Sequence, residues 1–210
     1  MTERHPMPFR RLLAVLAAAG LALAAGGCGG DDSGAGDGAA RSPEAASSIP
    51  AGADFDRTFI DAMVAHHRSA LDMARSAQAA GLTVPALRQV AADVLATQQE
   101  EIDRMLAWRK EWFGSAEIDP GAAGMLGMSD DGMGMDDAAD ALLNSSDPDR
   151  DFATMMVAHH EGAVAMAELA LERAEREELK ELARAIVTAQ EREIEVMKPH
   201  MAPGKHGGHG

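Results

Sequence analysis

Apolar residues recur at intervals of three and four along four long segments of the chain, and no proline interrupts any of these segments. This spacing places the apolar side chains on one face of a helix and is typical of helices in a bundle. The face predicted to be buried in the first segment consists of Phe59, Met63, His66, Ala70 and Met73. The opposite face is charged and is predicted to contact solvent; it consists of Asp61, Arg68, Asp72 and Arg75.

The four segments form an internal repeat. Residues 56–74 match residues 149–167, and both stretches contain Met-Val-Ala-His-His. Residues 87–105 match residues 179–197 in the same order. Each copy is therefore a pair of helices, and the sequence predicts an all-α four-helix bundle with pseudo-two-fold symmetry.

Short signals in the sequence predict where the helices begin and end. Gly81 and Pro85 indicate the turn within the first pair. Asp56 and Asp149 are suited to be N-terminal caps or first-turn acids of their helices. We therefore divide the chain into a first helical hairpin (54–113), a linker rich in Met, Gly and Asp (114–148), a second helical hairpin (149–200) and a tail rich in His and Gly (201–210).

Polar residues interrupt the faces that should be buried. Both histidines of each pair lie on or beside the apolar stripe of the first helix of a copy, and Gln and Glu occupy seam positions of the second helix. A buried carboxylate without a partner would cost several kcal/mol. Each Glu is therefore expected to face a histidine of its sister helix. This arrangement predicts two clusters: Met63, His66, Met73, Glu101 and Met105 in the first copy, and Met156, His159, Met166, Glu193 and Met197 in the second.

Two interpretations of these clusters compete. The polar residues could simply be paired contacts that fix the helix register, with methionine filling gaps in the core. Alternatively, they could bind a metal, and the recurrence of the whole set in both halves favours this interpretation. The sequence does not show which histidine of each pair binds, so His67 and His160 are candidates beside His66 and His159. Glu101 and Glu193 could bind the metal or accept the other ring N–H of a ligating histidine.

Imidazole and thioether together suit copper, with Cu(I) preferred. Di-iron bundles use Glu-x-x-His, but Met63 and Met156 stand three residues before the histidines, where that motif has Glu. Zinc gains little from methionine. Zinc and iron therefore fit less well than copper.

The N-terminus has the pattern of an export signal. Arg4, Arg10 and Arg11 precede an apolar run that is too short to span a membrane comfortably. The run ends in small residues followed by Cys28, the only cysteine, as in a bacterial lipoprotein cleavage site. We predict a signal peptide at 1–27, lipid on Cys28 and a flexible tether over 28–53.

Composition limits the partners. The formal net charge is −15, which disfavours nucleic acid and anionic membrane surfaces. Aromatic residues make up 3% of the chain, so alanine and leucine must supply most of the packing, which favours helices. Two regions outside the helices could also take up metal loosely. They contain Met125, Met128, Met133 and Met135 in the linker, and His200, Met201, His206 and His209 near the C-terminus.

The repeated motif resembles the bacterial family called domain of unknown function 305. Its pattern is Phe-x-x-x-Met-x-x-His-His-x-x-Ala-x-x-Met-Ala, followed by Gln-x-x-Glu-Ile-x-x-Met, and the resemblance covers about residues 54–200. It implies a ferritin-like fold, frequent export and, in some members, a link to copper. The residues that match the histidine motif directly are Met63, His66, His67, Met73, Met156, His159, His160 and Met166.

These observations predict a membrane-anchored copper-binding protein outside the cytoplasm that buffers or delivers copper, aids copper tolerance and has no catalytic residues. Its expected partners are the metal ion, the membrane through the lipid, and either an envelope copper-handling protein or a second copy of the chain. Two alternatives stay open at this point. One is a ferritin-like metal-dependent oxidase, and the other is a helical interaction module of the cell envelope that binds no metal.

Overall fold

The structure is a computed structural model that describes residues 52–126 and 137–202, and within these ranges all regular structure is helical. The helices are α1 (Ala53–Ala80), α2 (Pro85–Phe113), α3 (Ala122–Met125), α4 (Ala138–Leu143), α5 (Pro148–Arg173) and α6 (Glu177–Met197), followed by a 3-10 turn at Lys198–His200. The predicted signal peptide, Cys28 and nearly all of the predicted tether lie outside the described residues. Gly52 and Ala53 were assigned to the tether, but α1 already begins at Ala53.

The first hairpin turns where the sequence predicts. Gly81 follows α1 with a φ of 93°, a left-handed conformation that favours glycine, and its N–H donates to the carbonyls of Ala77 and Gln78. Pro85 begins α2, where its missing N–H leaves no hydrogen bond unmade. The two long helices therefore lie antiparallel.

The two hairpins pack against each other with their long first helices antiparallel. One apolar core combines the N-terminal half of α1 with the C-terminal half of α5, for example Phe59 with Ala170. The other core combines the C-terminal half of α1 with the N-terminal half of α5, for example Ala74 with Phe152. The molecule is thus an all-α, ferritin-like four-helix bundle built from two tandem hairpins. The short helix α3 joins the first core, and α4 joins the second through Leu142.

Two repeat-related aspartates cap helices of the opposite hairpin. Asp56 and Asp149 lie in the first turns of α1 and α5, as expected. The side chain of Asp56 accepts hydrogen bonds from the backbone N–H groups of Glu175 and Arg176 at 2.9 and 3.2 Å. Asp149 accepts from the N–H groups just before α2. Each carboxylate therefore satisfies unpaired N–H groups at the start of the other hairpin's second helix.

We expect Asp56→Ala to lower the free energy of unfolding by about 2–3 kcal/mol, because hydrogen bonds to a charged group are stronger than neutral ones. The carboxylate is fully buried and also pairs with the Arg176 guanidinium at 3.0 Å. Urea denaturation of the metal-free protein measures the change. Asp54→Ala is the matched control, since Asp54 is an exposed acid in the same turn. Equal stability of the two variants would refute the capping role.

The prediction that one face of α1 contacts solvent is wrong for one of its four residues. Arg68, Asp72 and Arg75 are exposed, but Asp61 is buried. Its carboxylate accepts hydrogen bonds from Nε and Nη2 of Arg109 at 2.7 and 3.3 Å. The end of α2 and the segment that follows it pack over this side of α1, so a position opposite the bundle seam is nevertheless enclosed.

Across the described parts of the chain, no helix combines the length and the apolar character that a membrane span requires.

Candidate metal centre

The two histidine pairs meet where α1 and α5 cross. All four imidazoles are buried. The rings of His66 and His159, which are repeat-related, stack with centroids 3.6 Å apart and planes inclined by 34°. The pseudo-two-fold axis of the bundle therefore passes between these two rings.

The second histidine of each pair bonds to a carboxylate of its sister helix. His67 Nε2 lies 2.8 Å from Glu101 Oε2, and His160 Nε2 lies 2.7 Å from Glu193 Oε2. A Glu–His pair in each copy was expected, but the prediction named the wrong histidine of each pair. The sister helix approaches α1 or α5 from the side of the second histidine, whereas the first histidine faces the opposite hairpin.

The methionines are grouped differently from the prediction. Met63 and Met105 pack in one core with Met166 of the second copy. Met156 and Met197 pack in the other core with Met73 of the first copy. Met63 and Met73 are ten residues apart on one helix, which is about 15 Å along its axis, so one cluster could not hold both. We call these two groups of three thioethers the methionine triads.

Burial makes the stacked histidines weak bases. The pKa of His66 lies well below its usual 6.5, chiefly because of burial and then because of the neighbouring His159, His67 and His160. The pKa of His159 is lowered by burial first, and then by His160 and His67. Both rings are neutral at neutral pH, so each carries a nitrogen lone pair that can bind a cation.

Several polar atoms of the bundle are buried without a hydrogen-bond partner. Within the described residues they are both ring nitrogens of His66, Nδ1 of His67, His159 and His160, and Oε1 of Gln98 and Gln190. Each such atom costs about 1–3 kcal/mol unless a ligand or water satisfies it. Five of them are imidazole nitrogens from the two repeated pairs, so the cost is concentrated on groups that ligate metals.

The composition of the centre restricts the metals that it could hold. No group of three or more His, Cys, Asp or Glu side chains in residues 52–126 and 137–202 is arranged to hold a metal ion. A site built on these histidines would therefore need other donors, and the buried thioethers of Met63 and Met156, about one turn before the histidines, are candidates. Imidazole with thioether fits a soft cation such as Cu(I).

Sequence reasoning missed one polar residue of the centre. The hydroxyl of Ser69 donates to the carbonyl of His66 at 3.0 Å, and its oxygen lies 2.6 Å from Nε2 of His159. The repeat-related residue is Gly162, which has no hydroxyl. The difference between Ser69 and Gly162, within two stretches that otherwise match, was the feature of the sequence that could have pointed to Ser69.

The fold and the centre together define the class of protein: a ferritin-like helical bundle in which two histidine pairs meet and each of two cores contains three buried methionines. The chain belongs to the DUF305 family: the model described as "Domain of unknown function (DUF305)" matches residues 23–86 and 80–201. Family membership confirms the resemblance that the repeated motif indicates. Among curated proteins, none matches the chain significantly.

Several solved structures are similar over most of the chain. CopM in its Cu(I)-bound form is 32% identical, with a TM-score of 0.58, and the match covers 69% of this chain and 93% of CopM. CopM has also been solved with Cu(II) and with silver bound.

Two further relatives come from named organisms. A DUF305 fragment from Deinococcus radiodurans is 30% identical, covering 72% of this chain and 97% of the fragment, with a TM-score of 0.57. A DUF305 protein from Streptomyces coelicolor, inferred to be secreted, is 27% identical, covering 72% of this chain and 96% of that protein, with a TM-score of 0.63.

Proposed function

We propose that this protein binds copper outside the cytoplasm, preferably as Cu(I), and buffers the ion or passes it to another envelope protein. Copper is the cargo of the protein and takes part in no reaction there. Lipid on Cys28 holds the protein at the membrane, and the bundle presents its binding centre to the extracytoplasmic space.

One observation carries the proposal: five buried imidazole nitrogens without partners lie on α1 and α5, the two helices that also supply two of the three buried methionines of each triad. Met63 precedes His66 by three residues and His67 by four, so all three lie on adjoining faces of α1. Met156 stands in the same relation to His159 and His160 on α5. Neutral imidazole and thioether are the protein ligands that suit Cu(I).

The structural relatives support copper over other metals. CopM shares the fold and almost a third of its residues with this chain, and it has been solved with Cu(I), Cu(II) and silver bound. Silver(I) has the charge and the soft character of Cu(I), so a protein that takes up both has soft donors. The buried imidazoles and thioethers of this chain are soft or borderline donors, which makes the same cargo the best proposal here.

The proposed location rests on two supports. The relative from Streptomyces coelicolor is inferred to be secreted. The first 28 residues of this chain have the charge, apolar run and cysteine of a lipoprotein signal. Mass spectrometry of the protein extracted from its native membrane tests the anchor, because lipid on Cys28 changes the mass of the N-terminal peptide.

Competition for Cu(I) with a chromogenic chelator tests the function. All samples are the full chain with Cys28→Ser, so that no thiol competes for the metal. The samples are kept in mild detergent. We expect Met63→Leu plus Met156→Leu to weaken Cu(I) binding at least tenfold, because each triad loses a thioether. Leucine has a similar volume, so the fold should change little in stability.

The matched control is Met155→Leu. Met155 is half-buried next to Met156 but belongs to neither methionine triad. Its replacement should leave the affinity unchanged. Absence of Cu(I) binding by the unmodified chain would refute the proposed function. Equal affinity of the double variant and the Met155 control would exclude the triads as the source of ligands.

A further inference from the structure

Three of the four central histidines are held in the same way. Nε2 of His67 contacts Glu101 Oε2, Nε2 of His160 contacts Glu193 Oε2, and Nε2 of His159 contacts Ser69 Oγ. In all three rings the other nitrogen, Nδ1, is buried and has no partner. Each of these imidazoles therefore has one nitrogen with a partner and one without, and the nitrogen without a partner is Nδ1 each time.

The partners determine which nitrogen carries the hydrogen. An ionised carboxylate can only accept, so the nitrogen that faces Glu101 or Glu193 must donate its N–H. The Ser69 hydroxyl donates to the carbonyl of His66, so its oxygen accepts from His159. In a neutral ring with its hydrogen on Nε2, Nδ1 carries the lone pair.

The carboxylates lie nearer to solvent than the rings. The side chains of Glu101 and Glu193 are 16% and 9% exposed, whereas those of His67 and His160 are fully buried. One oxygen of each carboxylate is already engaged with an imidazole. A carboxylate is also a hard donor, which a soft cation does not prefer. Both facts argue against Glu101 and Glu193 as direct ligands.

We propose that His67, His159 and His160 each present Nδ1 to a metal ion, without all three binding the same ion, and that Glu101, Glu193 and Ser69 are positioning residues that hold Nε2–H. This inference deepens the proposed copper binding and rests on it. A carboxylate that accepts from the far nitrogen orients the ring and raises the basicity of the ligating nitrogen. The two repeated carboxylates thus act on the metal through the imidazoles.

His66 is the exception, and it makes the two halves of the centre unequal. Neither of its ring nitrogens has a partner. The repeat-related position of Ser69 is Gly162, so no hydroxyl is available to hold His66 as Ser69 holds His159. Nothing in the described structure fixes the tautomer of His66, and either nitrogen can be presented to a metal.

Nuclear magnetic resonance of the histidine rings tests the proposal. The full chain with Cys28→Ser, labelled with ¹⁵N-histidine, is studied in mild detergent without metal and with silver(I). Without metal, His67, His159 and His160 should show hydrogen on Nε2. With silver, whose nuclei have spin one-half, one-bond coupling should split the Nδ1 signals of these rings and leave Nε2–H in place.

Substitutions at the carboxylates separate positioning from packing. We expect Glu101→Leu plus Glu193→Leu to give mixed tautomers at His67 and His160 and to weaken Cu(I) binding about 10- to 100-fold. Glu101→Gln plus Glu193→Gln retains an accepting oxygen, so the Nε2–H tautomer should return and most of the affinity with it. The control is Glu100→Leu, since Glu100 is exposed and adjacent to Glu101.

The outcomes distinguish this inference from the proposed function. Silver coupling at Nε2 would overturn the inference while leaving copper binding intact. If Glu101→Leu plus Glu193→Leu changes neither the histidine tautomers nor the affinity for Cu(I), this inference is also overturned, while the proposed function stands. If the unmodified chain binds neither Cu(I) nor silver(I), the proposed function and the inference both fail.

Discussion

Replacing His66 and His159 together by leucine is expected to weaken Cu(I) binding by about 100-fold or more, because even the loss of groups that only orient a ligand costs 10- to 100-fold. The same double variant should be at least as stable as the unmodified chain when no metal is present. These two rings bury three nitrogens without partners. Leucine fills a similar volume without them, which should recover about 1–3 kcal/mol.

Two measurements test this prediction: competition with a chelator for Cu(I), and urea unfolding of the metal-free protein. Met155→Leu is again the control, since Met155 is half-buried and lies outside the histidine pairs and the methionine triads. A marked loss of stability in the double variant would show that the stacked rings serve the packing of the bundle. Unchanged copper affinity would remove them from the site.

The double variant should also alter the dependence of stability on pH. In the metal-free protein the folded pKa values of His66 and His159 lie below the usual 6.5. The unfolded chain therefore binds protons on these rings at a higher pH than the folded chain. Protonation of these rings therefore favours the unfolded chain. The free energy of unfolding keeps its full value with respect to these rings above about pH 6.5, and it falls as the pH decreases towards the folded pKa values. Without these rings, stability should fall less steeply below pH 6.5.

Asp61→Ala is expected to destabilise the protein by about 3–5 kcal/mol, because it leaves the Arg109 guanidinium buried without its counter-ion. Both side chains are almost completely buried, at 1% and 8% exposure. Arg109 would keep its hydrogen bond to the carbonyl of Ser115 at 3.1 Å and its contact with the Phe113 ring, and neither group carries a negative charge. Urea denaturation of the metal-free chain measures the loss.

A second variant shows whether the loss of stability comes from leaving a charge buried alone or from losing the contact between the two side chains. Asp61→Leu plus Arg109→Met removes both charges and should cost much less than Asp61→Ala, since apolar residues can replace a buried ion pair. The exposed pair Asp72–Arg75 provides the control, and Asp72→Ala should have little effect. If Asp61→Ala is no more harmful than Asp72→Ala, the buried ion pair contributes nothing measurable.

The helical spacing and the duplication were sufficient to predict the fold. The absence of proline within the four segments, and the signals at Gly81 and Pro85, were sufficient to predict the long helices and the first turn. Repetition of the polar residues at buried positions also predicted correctly that His66, His67, Gln98 and Glu193 would be enclosed. These properties depend on residues close together in sequence, so the period of a single helix reveals them.

The partners of those residues could not be predicted in the same way. A helical period shows which side of a helix is buried, but not which neighbouring helix covers each part of that side. The direction of approach of α2 and α6 determined that Glu101 and Glu193 bond to His67 and His160. The antiparallel crossing of α1 and α5 exchanged Met73 and Met166 between the clusters. It also brought Ser69 to His159, a contact between residues 90 positions apart.

The sequence by itself thus determined the helices, the duplication and the chemical nature of the buried groups, because these follow from local spacing and residue type. Only the tertiary structure decided how the donors combine: two stacked imidazoles on the axis, a carboxylate outside each second histidine, and methionine triads that draw on both copies. The physical reason is that contacts between hairpins depend on how whole helices pack and cross, and no short stretch of sequence contains that information.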